Sequence, residues 1–196
     1  MIFYFDVETS GLDPRRHCIL QIAWIIEKNG EVISEKSYDV TPSDMDDLNL
    51  GALRVNGFTL ERMQAGKSLS YVMAAVVGDL RAHKQGSGMF RPCGHNVPFD
   101  ISFLVPAMNL THEAYLNHLS LHGALDTCAI ARFYGFLGLL QLDNYRLETC
   151  CKDFEILLKA HDALADIRAT RELFHKLITL YEMNKNVIKV FAKNEP

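Results

Sequence analysis

The opening stretch, MIFYFDVET, constrains this chain more than any other. Ile2 to Val7 is aromatic and β-branched and reads as a buried strand. Its end carries Asp6 and Glu8, two residues apart. Period-two geometry puts both carboxylates on one face and sends Val7 to the opposite, buried face. A core strand with two same-facing acids is costly unless something cationic binds them. Taken alone, the pair reads better as a solvated strand end.

The next segments extend this strand into a sheet. Residues 10–16 read as a loop, with Gly11 and Pro14. Ile19 to Glu27 is a second apolar strand, Asn29-Gly30 a hairpin turn, and Glu31 to Val40 the return strand. The pattern then turns helical. It predicts helices over Asp44–Val55, Leu60–Ala65 (capped by Thr59) and Ser70–Lys84, then a loop over residues 85–88. Met89–Gly94 is a short strand running into HNVPFD, where Pro98 suits the first turn of a helix reaching about Met108. Further helices are expected over Thr111–Leu119, Thr127–Tyr134, Asn144–Phe154 and Ala160 to about Met183, with a short strand over His122–Asp126. The last dozen residues are polar and read as a frayed tail. Strands first, then strands alternating with helices, define an α/β sheet with helices packed on it.

Composition bounds the function. The chain has 196 residues, enough for one substantial domain. No apolar run approaches the roughly 20 residues of a membrane span, and the N-terminus has no signal-peptide pattern. Five cysteines without a CxxC pair suit a reduced, cytoplasmic setting. Net charge is −4, yet setting aside Asp6, Glu8, Asp100 and Asp166 leaves 20 acids against 20 Lys and Arg. Two divalent cations would cancel those four carboxylates. A long nucleic acid would therefore not be held by a basic surface; it would be gripped locally, at an end, or delivered by a partner.

Asp100 falls in the first turn of a helix, where the dipole favours a carboxylate and where capping alone explains it. His161 and Asp166 lie five residues apart near the start of the last helix. On a regular helix that is about 140° around the axis, so they do not share a face. Asp162 rivals Asp166 and reads as a helix-start acid. Other patterns carry less. Cys93-Gly94-His95 lacks an orienting third group for a thiol nucleophile, and Cys150-Cys151 reads as packing. His112, His118 and His122 have no zinc spacing, and there is no Walker or GxGxxG motif.

Taken together, the segments resemble the DEDD-type 3′→5′ exonucleases, the DnaQ-like branch of the ribonuclease H-like superfamily. FDVETSGLDP resembles the first motif, and HNVPFD the second, in which an Asn precedes the acid by four. LDTCAIAR, with Asp126, resembles a connecting segment, and HDALADIRATRELF the third motif. The H-x-x-x-x-D spacing marks the histidine subtype, DEDDh, like the exonuclease domains of proofreading epsilon subunits. The resemblance covers residues 1–182, in the family's motif order.

The resemblance implies a five-stranded mixed sheet with the second strand antiparallel to the rest and helices on both faces. It implies an exonuclease domain over residues 1–184 and a short polar tail over 185–196. Asp6, Glu8 and Asp166 would hold one Mg²⁺ or Mn²⁺; Asp6, with Asp100 through water, would hold a second. The pair clamps the attacking and leaving oxygens of an in-line displacement, with His161 as general base. Nucleoside 5′-monophosphates would leave stepwise from the 3′ end of single-stranded DNA or DNA ends.

For substrate grip the resemblance points to the backbone near Thr9, to Leu12 as an apolar wedge, and to Asn96. Phe99 or Phe103 could stack on a base or pack in the core. Asn56 stands where some relatives use a histidine. RNA 3′ ends or oligonucleotides are the alternative substrate, and a silent binding module the alternative class. A polymerase or a second copy of the chain are the expected protein partners.

Overall fold

The computed structural model describes residues 1–42, 48–112, 115–158 and 162–193. Ile2–Thr9 (β1), Ile19–Lys28 (β2) and Glu31–Asp39 (β3) form the antiparallel meander that the alternation predicts. Asn29 and Gly30 both take positive φ, 52° and 86°, as an Asn-Gly hairpin turn requires. Arg91–Gly94 (β4) pairs in parallel with β1, and Leu125–Asp126 (β5) in parallel with β4. The order is β3-β2-β1-β4-β5, with β2 running against the other four. This is the expected five-stranded mixed sheet. The helices are Leu50–Asn56 (α1), Leu60–Ala65 (α2), Leu69–His83 (α3), Val97–Leu110 (α4), Thr127–Phe136 (α5), Leu147–Asp153 (α6) and Ala163–Lys193 (α7).

Alternation along β1 decides what lies on each face. Phe3, Phe5 and Val7 join Ile22, Trp24 and Ile26 of β2 and pack against Val76 and Leu80 of α3 and Leu104 and Met108 of α4. Tyr4 joins Ala23 and Ile25 and packs against Ala163, Ile167 and Phe174 of α7. Helices thus cover both faces. Asp6 and Glu8 share the α7 face by the same alternation. That face also carries a buried charge pair. Glu27, 3% exposed, accepts from Arg171 Nε at 2.6 Å and lies 2.8 Å from His175 Nε2. Its carboxylate ties α7 to β2 at the end of the sheet away from Glu8.

Several elements differ from expectation. The helix expected from Asp44 begins at Leu50, because Asn49 accepts from Gly51 and Ala52 N–H and caps it; residues 43–47 lie outside the described set. Residues 111–119 were expected to be helical, but of the described ones only Tyr115–Asn117 winds, as a 3₁₀ turn. The strand expected from His122 shrinks to Leu125–Asp126, after a 3₁₀ turn over Leu121–Gly123. The helix expected from Asn144 starts at Leu147, since Asn144 instead accepts from Arg146 N–H and the Thr149 hydroxyl. The closing helix starts at Ala163 and runs to Lys193, through most of the segment expected to be a frayed tail.

Candidate active site

The site lies where the central strands part. β1 pairs with β4 only over Ile2–Tyr4. Beyond that, the β1 edge loses its parallel neighbour and its backbone needs another partner. Asp100, in α4, supplies one: its Oδ1 accepts the Val7 N–H at 3.1 Å. The next residues of the chain fold back as a tight loop. Thr9 Oγ1 donates to Gly11 O at 2.7 Å, and Ser10 N–H donates to Cys18 O at 2.9 Å. A Cβ on Gly11 would stand 2.4 Å from the His17 ring, so only glycine allows that closure.

On the α7 face, ligand oxygens of Asp6, Glu8 and Asp166 all lie within 4.8 Å of one another. Strand and helix meet here for simple reasons. Antiparallel register sets Asp6 opposite Ala23, whose small side chain leaves room on this face. Asp162 caps α7: its Oδ1 accepts the Ala165 N–H at 3.0 Å, and its carbonyl the Asp166 N–H at 2.9 Å. The two rival acids therefore take separate roles, with Asp162 starting the helix and Asp166 joining the cluster one turn on.

The electrostatics follow from crowding. Burial, then the charges of Asp100, Asp166 and Glu8, hold the Asp6 carboxyl well above the usual range. Glu8 is pushed up to about 7, by burial first and then by Asp166, against the opposing effects of Asn56 and Arg62. Burial raises Asp100 too, although two backbone N–H groups favour its charged form. Asp6 and Glu8, raised in affinity for protons, converge with Asp166 and are equally ready for a hard cation, because proton and cation relieve the same repulsion. The donor set, all oxygen, fits Mg²⁺ or Mn²⁺.

A cleft of about 370 Å³ opens beside Glu8, lined by Thr9, Leu12, Val55, Asn56 and Phe99 among others. Leu12 stands 81% exposed at its rim and Val55 60% exposed. Asn56 is buried and donates from Nδ2 to Thr9 O at 3.1 Å, locking the end of β1 to α1. The structure thus gathers Thr9, Leu12 and Asn56 with Glu8. It does not bring Phe103, which is 3% exposed and packs in the core between sheet and α4. Phe99, one turn earlier, lines the cleft instead. Asn96 is exposed, in the left-handed region at φ 66°, and meets its neighbours through its backbone N–H, donated to Asp126 Oδ1 at 2.9 Å. His161 lies outside the described residues.

Two features escaped the sequence reading. Val55 carried no signal, being one apolar residue at a helix end. His95 is a clamp: its ring nitrogens lie 2.9 Å from Thr127 Oγ1 and 2.9 Å from Tyr145 O. Cys93, the would-be nucleophile, is fully buried, and burial drives its thiol pKa far up.

Acids gathered at the carboxyl end of the central strand of a β3-β2-β1-β4-β5 sheet, with helices on both faces, define the ribonuclease H-like class of α/β fold. The model of the exonuclease family (RNase_T) matches residues 3–174. DNA polymerase III of PolC type from Listeria monocytogenes is 30% identical over 175 residues, 89% of this chain and 11% of the polymerase. DNA polymerase III subunit epsilon from Rickettsia felis is 30% identical over 176 residues, 88% of this chain and 71% of the subunit. Among solved structures, E. coli exonuclease I in complex with a dT13 oligonucleotide superposes with a TM-score of 0.79 at 20% identity, over 95% of this chain and 42% of that one. The chain belongs to the exonuclease family, within the DnaQ-like 3′→5′ exonucleases of ribonuclease H fold. It spans about a tenth of the length of the PolC-type relatives. Among the described residues, no helix is long and apolar enough to cross a membrane.

Proposed function

We propose that this chain is a metal-dependent 3′→5′ exonuclease that shortens single-stranded DNA or frayed DNA ends and releases nucleoside 5′-monophosphates. The observation that carries this reading is the convergence of Asp6, Glu8 and Asp166 beside a cleft with an apolar rim. Divalent cations, when bound, supply Lewis acidity and an acidified water for phosphodiester hydrolysis. Asp6, Glu8 and Asp166 would hold one cation, and Asp6, with Asp100 through water, a second. His161 takes the proton of the attacking water at an imidazole nitrogen. The Thr9 backbone and Asn56 shape the floor under the terminal nucleotide. Leu12 at the rim wedges between that base and its neighbour, which favours an unpaired end. Asn96, exposed at the α4 start, steers the incoming strand.

DNA is favoured over RNA as substrate by the relatives, which are DNA polymerase polypeptides, and by fold neighbours crystallised with DNA oligonucleotides. The same relatives support a DNA polymerase as the partner for which such a chain would proofread. The test is digestion of 5′-labelled and 3′-labelled DNA and RNA oligonucleotides in Mg²⁺ and in Mn²⁺, with EDTA and Asp6→Ala as controls. A 5′-labelled DNA ladder shortening one nucleotide at a time, lost in EDTA and in the variant, is the expected result. Faster loss of RNA would reassign the substrate. A well-folded chain that cleaves neither would be a binding module.

A further inference from the structure

Gln21 has no place in the cleft or among the acids, yet it is 4% exposed and sits opposite Glu8 in the β1–β2 register. Cross-strand partners share a face, so its side chain lies on the α7 side with Glu8. There Gln21 Oε1 accepts the backbone N–H of Ala163, the first residue of α7, at 3.0 Å across 142 positions of sequence. Its Nε2 donates to Ser37 Oγ on β3 at 3.4 Å. The first N–H groups of any helix lack intrahelical partners. Here Asp162 serves Ala165 from within the segment, whereas Gln21 serves Ala163 from the sheet.

That difference matters for the acid cluster. A local cap travels with the helix; a cap from β2 fixes the helix to the strand that neighbours Asp6 and Glu8. Asp166 lies in the first turn of α7, and helical side chains lean toward the N-terminus. Any shift of that turn therefore carries the Asp166 carboxylate with it. We infer that Gln21 is a positioning residue: its amide docks the first turn of α7 on β2 and so sets the distance from Asp166 to Asp6 and Glu8, on which cation affinity depends. The inference rests on the reading of these acids as metal ligands. Groups that orient the ligands of a metal typically change its affinity or the activity by about 10- to 100-fold when removed.

The test uses the Mn²⁺ concentration at which the melting temperature rises halfway to its plateau, with kcat and KM on a DNA oligonucleotide alongside. Gln21→Met keeps the volume and loses the acceptor; Gln21→Glu keeps the acceptor. Leu177→Ala, a buried position far along α7, controls for general loss of stability. Expected are a Mn²⁺ midpoint raised about 10- to 100-fold in Gln21→Met, with kcat falling more than KM changes. Gln21→Glu stays close to wild type, and Leu177→Ala melts lower with an unchanged midpoint. A wild-type midpoint in Gln21→Met, or an equal shift in Leu177→Ala, overturns the inference while leaving the exonuclease reading intact. A wild-type chain whose melting ignores Mn²⁺ overturns the metal-ligand reading, and this inference with it.

Discussion

Glu8 costs the metal-free protein stability as pH rises toward neutrality. A carboxyl raised in the folded state binds more protons folded than unfolded, so stability falls as pH rises between the two values. For Glu8 that window runs from its ordinary value of 4.5 to about 7. In EDTA, unfolding free energy should drop as pH rises from about 4.5 to about 7, on the order of 1–3 kcal/mol from this residue. Mn²⁺ at pH 8 should restore it. Glu8→Gln should flatten the EDTA profile and lose the Mn²⁺ response; an unchanged profile in the variant would show that Glu8 is not strained. A second contrast separates two aromatics one turn apart. Phe103→Ala should cost about 3–5 kcal/mol in denaturant unfolding, as a core cavity does. Phe99→Ala, half-buried at the cleft, should cost less and raise KM instead. Their sequence contexts were indistinguishable, because burial at that helix is decided by which turn meets the sheet. Asp162 rivalled Asp166 by position; the motif spacing favoured Asp166, and the structure adds that Asp162 caps the helix.

At the scale of elements, α7 links the acid cluster to the far end of the sheet, and the Glu27 clamp bears on its placement. Arg171 and His175 both meet one buried carboxylate oxygen. Removing one partner of a buried pair leaves an uncompensated charge. Arg171→Met should therefore lower the unfolding free energy by about 3 kcal/mol, and adding Glu27→Gln should recover part of it. A loss under about 0.5 kcal/mol would place this contact with surface ion pairs. The strands and the hairpin were legible because alternation and Asn-Gly are local signals. The helix ends were less so. α1 starts late because Asn49 takes the capping role. α7 runs past Met183 to Lys193; the helical spacing of Val187, Ile188 and Phe191 was there to be read, but the lysines and asparagines between them made the segment look like a polar tail. Gln21 and His95 stayed unread because each acts on a segment far away in sequence, 142 positions for Gln21 and 50 for the His95–Tyr145 contact.

For the whole molecule, charge decides how a strand is held. The net charge of −4 and the balance of cations and acids outside the site leave no excess positive charge for a phosphate track. On the proposed reading, affinity would then come from the cations, the apolar rim and a few local contacts. Each phosphate neutralised on a single strand adds about −0.7 to the slope of log affinity against log salt. A grip on the terminal two or three nucleotides predicts a slope no steeper than about −2. The measurement is binding of a cleavage-resistant phosphorothioate DNA across a KCl series at fixed Mg²⁺, with oligonucleotides of increasing length. Affinity should plateau after the first few nucleotides, and the slope should stay shallow at every length. A slope of about −4 that steepens with length would reveal an extended basic path, and would mean that charge is segregated on the surface in a way the overall balance conceals. The shallow result would instead fit a chain that trims ends distributively unless another protein, such as a polymerase, presents the strand to it.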